Sequence, residues 1–141
     1  MGVTAVVVLD SMWDWRSKTT DAGYTELAPR YYTINSENKS GKMLYKLIGH
    51  NRFLVTNACP ELVKSANHRG TPNPEYLGGN LYTLYVRHEY KLLLVCGKVA
   101  WDTYVKSKQW FQYKHRVVKM KHPAARDWTK EETERYKRYL A

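Results

Sequence analysis

The sequence predicts an α/β protein: a three-layer α/β/α domain around a four-stranded, mostly parallel sheet. Three observations predict it. Four short runs read as strands, and the first lacks polar alternation, as a strand buried on both faces does. Amphipathic or capped segments stand between them. Strand and helix signals alternate along the chain, the pattern of right-handed crossovers in a doubly wound sheet. The chain has 141 residues and 43% hydrophobic content, enough for one cored domain (residues 1–141) and not for two.

The first strand is Thr4–Asp10 (TAVVVLD), β-branched and continuously apolar. Ser11–Pro29 follows, rich in Trp, charge, Gly and Pro, and reads as a long functional loop. Ser40 is placed to cap a helix running to Leu47, with Met43, Leu44, Leu47 and Ile48 on one face and Gly49 as its stop. Arg52–Asn57 (RFLVTN) is the second strand. Ala58–Asn80, with Pro60, Pro72 and Pro74, reads as loop, with one helical turn near Glu61–Ser65. Tyr76–Tyr90 carries helical periodicity. Lys91–Cys96 (KLLLVC) is the third strand, and Gly97–Lys106 a helix opened by glycine. Arg116–Met120 (RVVKM) is the fourth strand. Thr129 and Glu132 form a capping box for a last helix, Lys130–Leu140.

No apolar run approaches the roughly 20 residues that span a bilayer, so a soluble, intracellular protein is expected. Ala5–Leu9 is too short for a signal peptide and is followed by no small-residue cleavage site. Cys59 and Cys96 each end an apolar run and are expected as reduced, buried thiols. No zinc-type Cys/His spacing is present, and no metal or cofactor is expected. The net charge of +10 points to a polyanionic partner. Twelve Tyr and five Trp against two Phe suit half-exposed surfaces and base stacking. Lys106, Lys108, Lys114, His115 and Arg116, interleaved with Trp110, Phe111 and Tyr113, look like a nucleic-acid surface, although some of those rings are expected to pack under the sheet.

In doubly wound sheets ligands bind beyond the carboxyl ends of the strands. There the chain offers Asp10, Asn57, Gly97-Lys98 and His122-Pro123. An Asn amide reads a base edge by its donor and acceptor pattern. A His donates to a carbonyl oxygen that gains charge. An Asp activates water or faces a developing cation.

Three segments in register carry a family resemblance. FLVTNACPELVKSANHRG, KLLLVCGKVAWDTYVKS and VVKMKHPAA resemble, in order and spacing, the motifs of the uracil-DNA glycosylase superfamily. The likeness runs from about Ser40 to Trp128, with Ala124 where that superfamily usually has Ser. The resemblance implies a DNA N-glycosylase in which Asn57 reads a flipped base and His122 donates to its carbonyl oxygen. It further implies that Pro123 and the basic turn after it pinch the DNA backbone. Arg69, Lys98, Lys121 and Arg126 are the expected DNA contacts; Asn67 and His68 have no fixed role. The segment after the first strand departs from the family's Gly-Gln-Asp-Pro-Tyr-His pattern: here it is Leu9-Asp10-Ser11-Met12-Trp13-Asp14-Trp15. Asp10 or Asp14 is the candidate for the catalytic carboxylate, Trp13 for reshaping the pocket, and Tyr31 or Tyr32 for stacking on the base. The alternative is an inactive module on the same fold that binds nucleic acid or a modified base. A nucleotide-processing hydrolase is a third class, unsupported by any P-loop or GxGxxG. A monomer that acts on DNA is expected, in the cytoplasm with the nucleoid or in the host cytoplasm for a viral chain.

Overall fold

The structure is a computed structural model. It describes residues 3–11, 31–34, 36, 38–49, 51–60 and 70–141, and the backbone of 24–28. Its sheet has six strands: β1 (Ala5–Leu9), β2 (Tyr24–Ala28), β3 (Tyr31–Ile34), β4 (Phe53–Asn57), β5 (Leu92–Cys96) and β6 (Arg116–Met120). They lie in the order β2-β3-β4-β1-β5-β6. The four parallel strands, β4-β1-β5-β6, are the four that the apolar runs predict. The expected four-stranded sheet is thus two strands short. β3 runs antiparallel to β4, and β2 antiparallel to β3 with a bulge between Glu26 and Ala28. β2 falls inside the segment read as a loop. Its sequence, YTELA, mixes polar and apolar residues, so no apolar run marks it.

Four helices are present among the described residues: α1 (Lys39–Ile48), α2 (Pro74–His88), α3 (Lys98–Ser107) and α4 (Lys130–Leu140). The two faces of the sheet are covered by different pairs. Val7, Leu9, Val55, Leu94 and Met120 pack with Leu44, Leu47 and Leu140 of α1 and α4. Val6, Val8, Leu54, Leu93 and Val95 pack with Leu77, Leu81, Ala100 and Tyr104 of α2 and α3. Alternate residues of one strand therefore enter different cores, which is why these strands read as unbroken apolar runs. Both cysteines are buried and neither is in a disulfide. No helix among the described residues is long and apolar enough to cross a membrane.

Helix ends follow local chemistry, with two departures from expectation. Asn38, not Ser40, caps α1: its Oδ1 accepts from the N–H groups of Ser40 and Gly41 at 2.9 and 3.2 Å. Gly49 ends that helix at φ 52°. α2 begins at Pro74, earlier than the loop reading allowed. Asn73 caps it, and Pro74 sits at the first helical position, where its missing N–H costs nothing. The capping box of α4 forms as expected, with Thr129 and Glu132 bonded reciprocally at 3.1 Å.

Close packing of α2 against the end of α3 depends on a glycine. A methyl group at Gly78 would lie 3.0 Å from Trp110 Cβ and 3.1 Å from the Ser107 carbonyl oxygen. Overpacking of this kind costs about 1–3 kcal/mol. An alanine gains roughly 1 kcal/mol over glycine within a helix. Gly78→Ala is expected to destabilise the fold by about 1 kcal/mol net, read as a lower urea midpoint with unchanged slope. A raised midpoint would show that the two helices separate freely.

Candidate functional site at the carboxyl ends of the parallel strands

Register puts the candidate residues in one row. Asn57 ends β4 opposite Leu9 of β1, and Cys96 of β5 pairs with Met120 of β6. The β1–β4 ladder runs on past the strands: the Ala58 N–H donates to the Leu9 carbonyl at 2.9 Å, and the Cys59 N–H to that of Asp10 at 3.0 Å. The backbone of Asp10 is therefore pinned alongside the segment that follows Asn57. The chain crosses from one side of β1 to the other between β4 and β5. The β1/β5 boundary is thus the switch point where such sheets open a crevice.

Asn57 is 6% exposed, and its amide orientation is fixed from beneath. The Tyr32 hydroxyl donates to Asn57 Oδ1 at 3.0 Å. This sets the carbonyl oxygen toward Tyr32 and makes the amide NH2 the other hydrogen-bonding end; that NH2 has no side-chain partner among the described residues. Tyr32 itself is 3% exposed and belongs to the core on the α1/α4 side. It does not offer a face for stacking on a base, which corrects the sequence expectation. Its antiparallel pairing with Val55 brings it under Asn57, a contact that requires the strand missed in the sequence. Tyr31 is buried in the opposite core.

His122 is held by its own turn. The Ala124 N–H donates to His122 Nδ1 at 3.0 Å. In the neutral ring the proton then resides on Nε2, which is a donor. The His122 carbonyl accepts from the Ala125 N–H at 3.0 Å and from the Trp128 indole N–H at 2.9 Å. Gly97 forms the floor beneath the ring. Its N–H donates to the Met120 carbonyl at 2.8 Å. Its φ of 93° and ψ of 168° belong to a region that only glycine occupies without strain. A methyl group there would sit 3.6 Å from His122 Cβ. The His122 ring thus overlies the end of β5, two strand spacings from β4, roughly 10 Å.

The basic residues divide. Lys98 is exposed at the first position of α3, a helix whose N-terminal N–H groups have no side-chain cap. Arg126 is exposed beyond the His122 turn, whereas Pro123 is buried. Lys121 has a different task from the DNA contact expected of it. Its ammonium lies 2.9 Å from Glu132 and 3.4 Å from Asp127, and sits 5.4 Å over the Trp128 ring. It ties the turn to the start of α4. Asp14, Trp13 and Arg69, with Asn67 and His68, lie outside the described residues. Among the described residues no cluster of three His, Cys, Asp or Glu side chains is arranged to hold a metal ion.

The Lys121 brace has a pH signature. The hydrogen bond from Lys121, and then that from the Thr129 N–H, holds the Glu132 carboxyl below the usual carboxylate range. A carboxyl lowered in the folded state stabilises above its unfolded pKa, about 4.3, and loses that contribution as pH falls through the folded value. The Lys121 ammonium is raised, chiefly by Glu132, so its share is lost only in strong alkali. Glu132→Gln is expected to lower the thermal midpoint at pH 7, and the gap to the wild type is expected to shrink progressively as the pH falls below about 4.3. A gap that stays constant with pH would show that the ion pair contributes nothing.

Trp128 escaped the sequence reading as a site residue, for its part is to hold the His122 turn through the indole bond to the His122 carbonyl. Neither a protein-family model nor a curated protein sequence matches this chain.

Proposed function

We propose that this protein binds DNA, receives one base turned out of the strand between Asn57 and His122, and hydrolyses its N-glycosidic bond. The observation that carries the reading is the pair of fixed donors at the switch point: an Asn57 amide set by Tyr32, and a His122 ring whose Nδ1 is occupied by Ala124. Such a pair suits a base with a carbonyl oxygen toward each end. The second lone pair of Asn57 Oδ1 accepts from a ring N–H between them. An amino group in place of the carbonyl nearest Asn57 would set donor against donor.

Unstacking the base costs a few kcal/mol. The +10 charge supplies attraction to the backbone, with Lys98, Arg126 and the α3 N-terminus at the crevice to meet phosphate. As the bond from the sugar carbon to the base nitrogen breaks, its electron pair passes to the base and charge collects on the carbonyl oxygen. His122 Nε2–H meets that charge. Asp10 faces the electron-poor sugar and takes the proton of the water whose oxygen bonds to the sugar carbon.

A second reading keeps the base pocket without the chemistry. It is favoured by the segment after β1, where the Gly and Pro of the resembled motif are absent and Asp10 stands at a bend. Single-turnover incubation with duplexes carrying uracil and other altered bases separates the two. Abasic product that is lost in Asp10→Asn supports the enzyme. Tight DNA binding with no abasic product across the panel rejects it in favour of the binder.

A further inference from the structure

We propose that the ridge of rings along the outer side of α2, with the turn after α3, is a second nucleic-acid contact: a platform on which the bases of a single strand stack. It shares its polyanionic partner with the function proposed above but uses none of its chemistry.

Sequence and packing converge on this surface. Residues 103–126 include seven Lys or Arg and no Asp or Glu. The turn within that stretch brings Trp110 against Gly78, and Phe111 edge-on to Tyr82 at 5.8 Å. His115 Nε2 and the Tyr85 hydroxyl are hydrogen-bonded at 2.8 Å. Residues 78, 82 and 85 follow one helical face over seven residues, about 10 Å. Trp110 is 49% and Tyr82 56% exposed, large apolar areas for a surface to leave in water.

The ridge has a rigid footing. Tyr90 and Tyr113 stack beneath it at 4.7 Å, and each hydroxyl is bonded to a carbonyl, Tyr113 to Tyr90 and Tyr90 to Leu81. Lys106, Lys108 and Lys114 are exposed on the turn side; Glu75 and Glu89 stand exposed toward the two ends of α2. The His115 end adjoins the start of β6, at the opposite end of the sheet from Asn57 and His122.

Exposed Tyr and Trp fringed by lysines suit a nucleic acid better than a protein, because lysine is depleted at protein interfaces. Unpaired bases suit better than a duplex, because only a single strand presents open ring faces to stack.

The test is fluorescence anisotropy with a labelled oligothymidylate. The Tyr82→Ala/Trp110→Ala chain is expected to bind at least about tenfold more weakly, with an unchanged thermal midpoint. Tyr82→Phe/Trp110→Phe should retain most of the affinity. Repeating the comparison in an Asn57→Ala background should give the same loss, which separates the platform from the base pocket. Wild-type affinity in the double alanine variant would overturn the proposal. So would competition by polyglutamate as effective as that by unlabelled oligothymidylate, since charge alone or an acidic protein would then explain the surface.

Discussion

His122→Asn is expected to lower single-turnover base excision by about 100- to 1,000-fold, the effect of removing one donor aimed at developing charge. The substitution is chosen for what it keeps. An Asn carbonyl oxygen reaches the place of Nδ1 and can still accept from the Ala124 N–H, which the wild-type ring bonds at 3.0 Å. The two bonds to the residue 122 carbonyl, from Ala125 and Trp128, involve no side-chain atom of His122. The turn is therefore expected to survive, with little change in thermal midpoint. His122→Gln does the converse. Its amide reaches the place of Nε2 and restores a donor, while the Ala124 N–H loses its acceptor. Glutamine should recover part of the excision rate and lose some stability. Excision by His122→Asn within a few fold of wild type would remove His122 from the chemistry. Equal loss in both variants together with a lowered midpoint would assign the residue to the fold of the turn.

What could be read in the sequence was set by burial. β1, β4 and β5 lie between two helical layers and are buried at every position, so they announce themselves as apolar runs, while edge strand β6 exposes Arg116 and Lys119 and shows only a shorter run. The row of Asn57, Gly97 and His122 followed, because ends of parallel strands share one edge. β2 and β3 carried no such mark. Tyr31-Tyr32-Thr33-Ile34 is rich in β-forming residues, but four residues beside Pro29 are too few to show a period. With that hairpin went the role of Tyr32. Its bond to Asn57 spans 25 residues and exists only once β3 lies on β4. The ion pairs of Lys121 were hidden for a related reason. A lysine beside a candidate catalytic histidine looks like a phosphate contact until α4 folds back and presents Glu132. The α4 capping box was visible as a local spacing; its second use as the anchor of the His122 turn was not, since it joins residues 11 apart across a loop.

The remaining large effect concerns the base edge, and Asn57 and Tyr32 should separate in it. Asn57→Ala removes both the amide NH2 and the oxygen that would accept from the base. A bidentate contact of this kind is worth about 1–3 kcal/mol of discrimination, so binding of the preferred base over an amino-bearing analogue should fall by roughly 5- to 150-fold. Tyr32→Phe leaves the amide in place and removes only the hydroxyl that orients it at 3.0 Å. A single neutral hydrogen bond is worth about 1 kcal/mol, so the expected loss is about fivefold. It should appear as weaker discrimination between bases more than as weaker DNA binding, because Asn57 is 6% exposed and the phosphate contacts proposed above fall to Lys98 and Arg126. Combining the two substitutions gives the decisive comparison. If Tyr32 acts through Asn57, adding Tyr32→Phe to Asn57→Ala should cost no further discrimination. Additive losses would mean that Tyr32 serves the pocket by another route, and unchanged discrimination in Asn57→Ala would mean that this amide does not read the base.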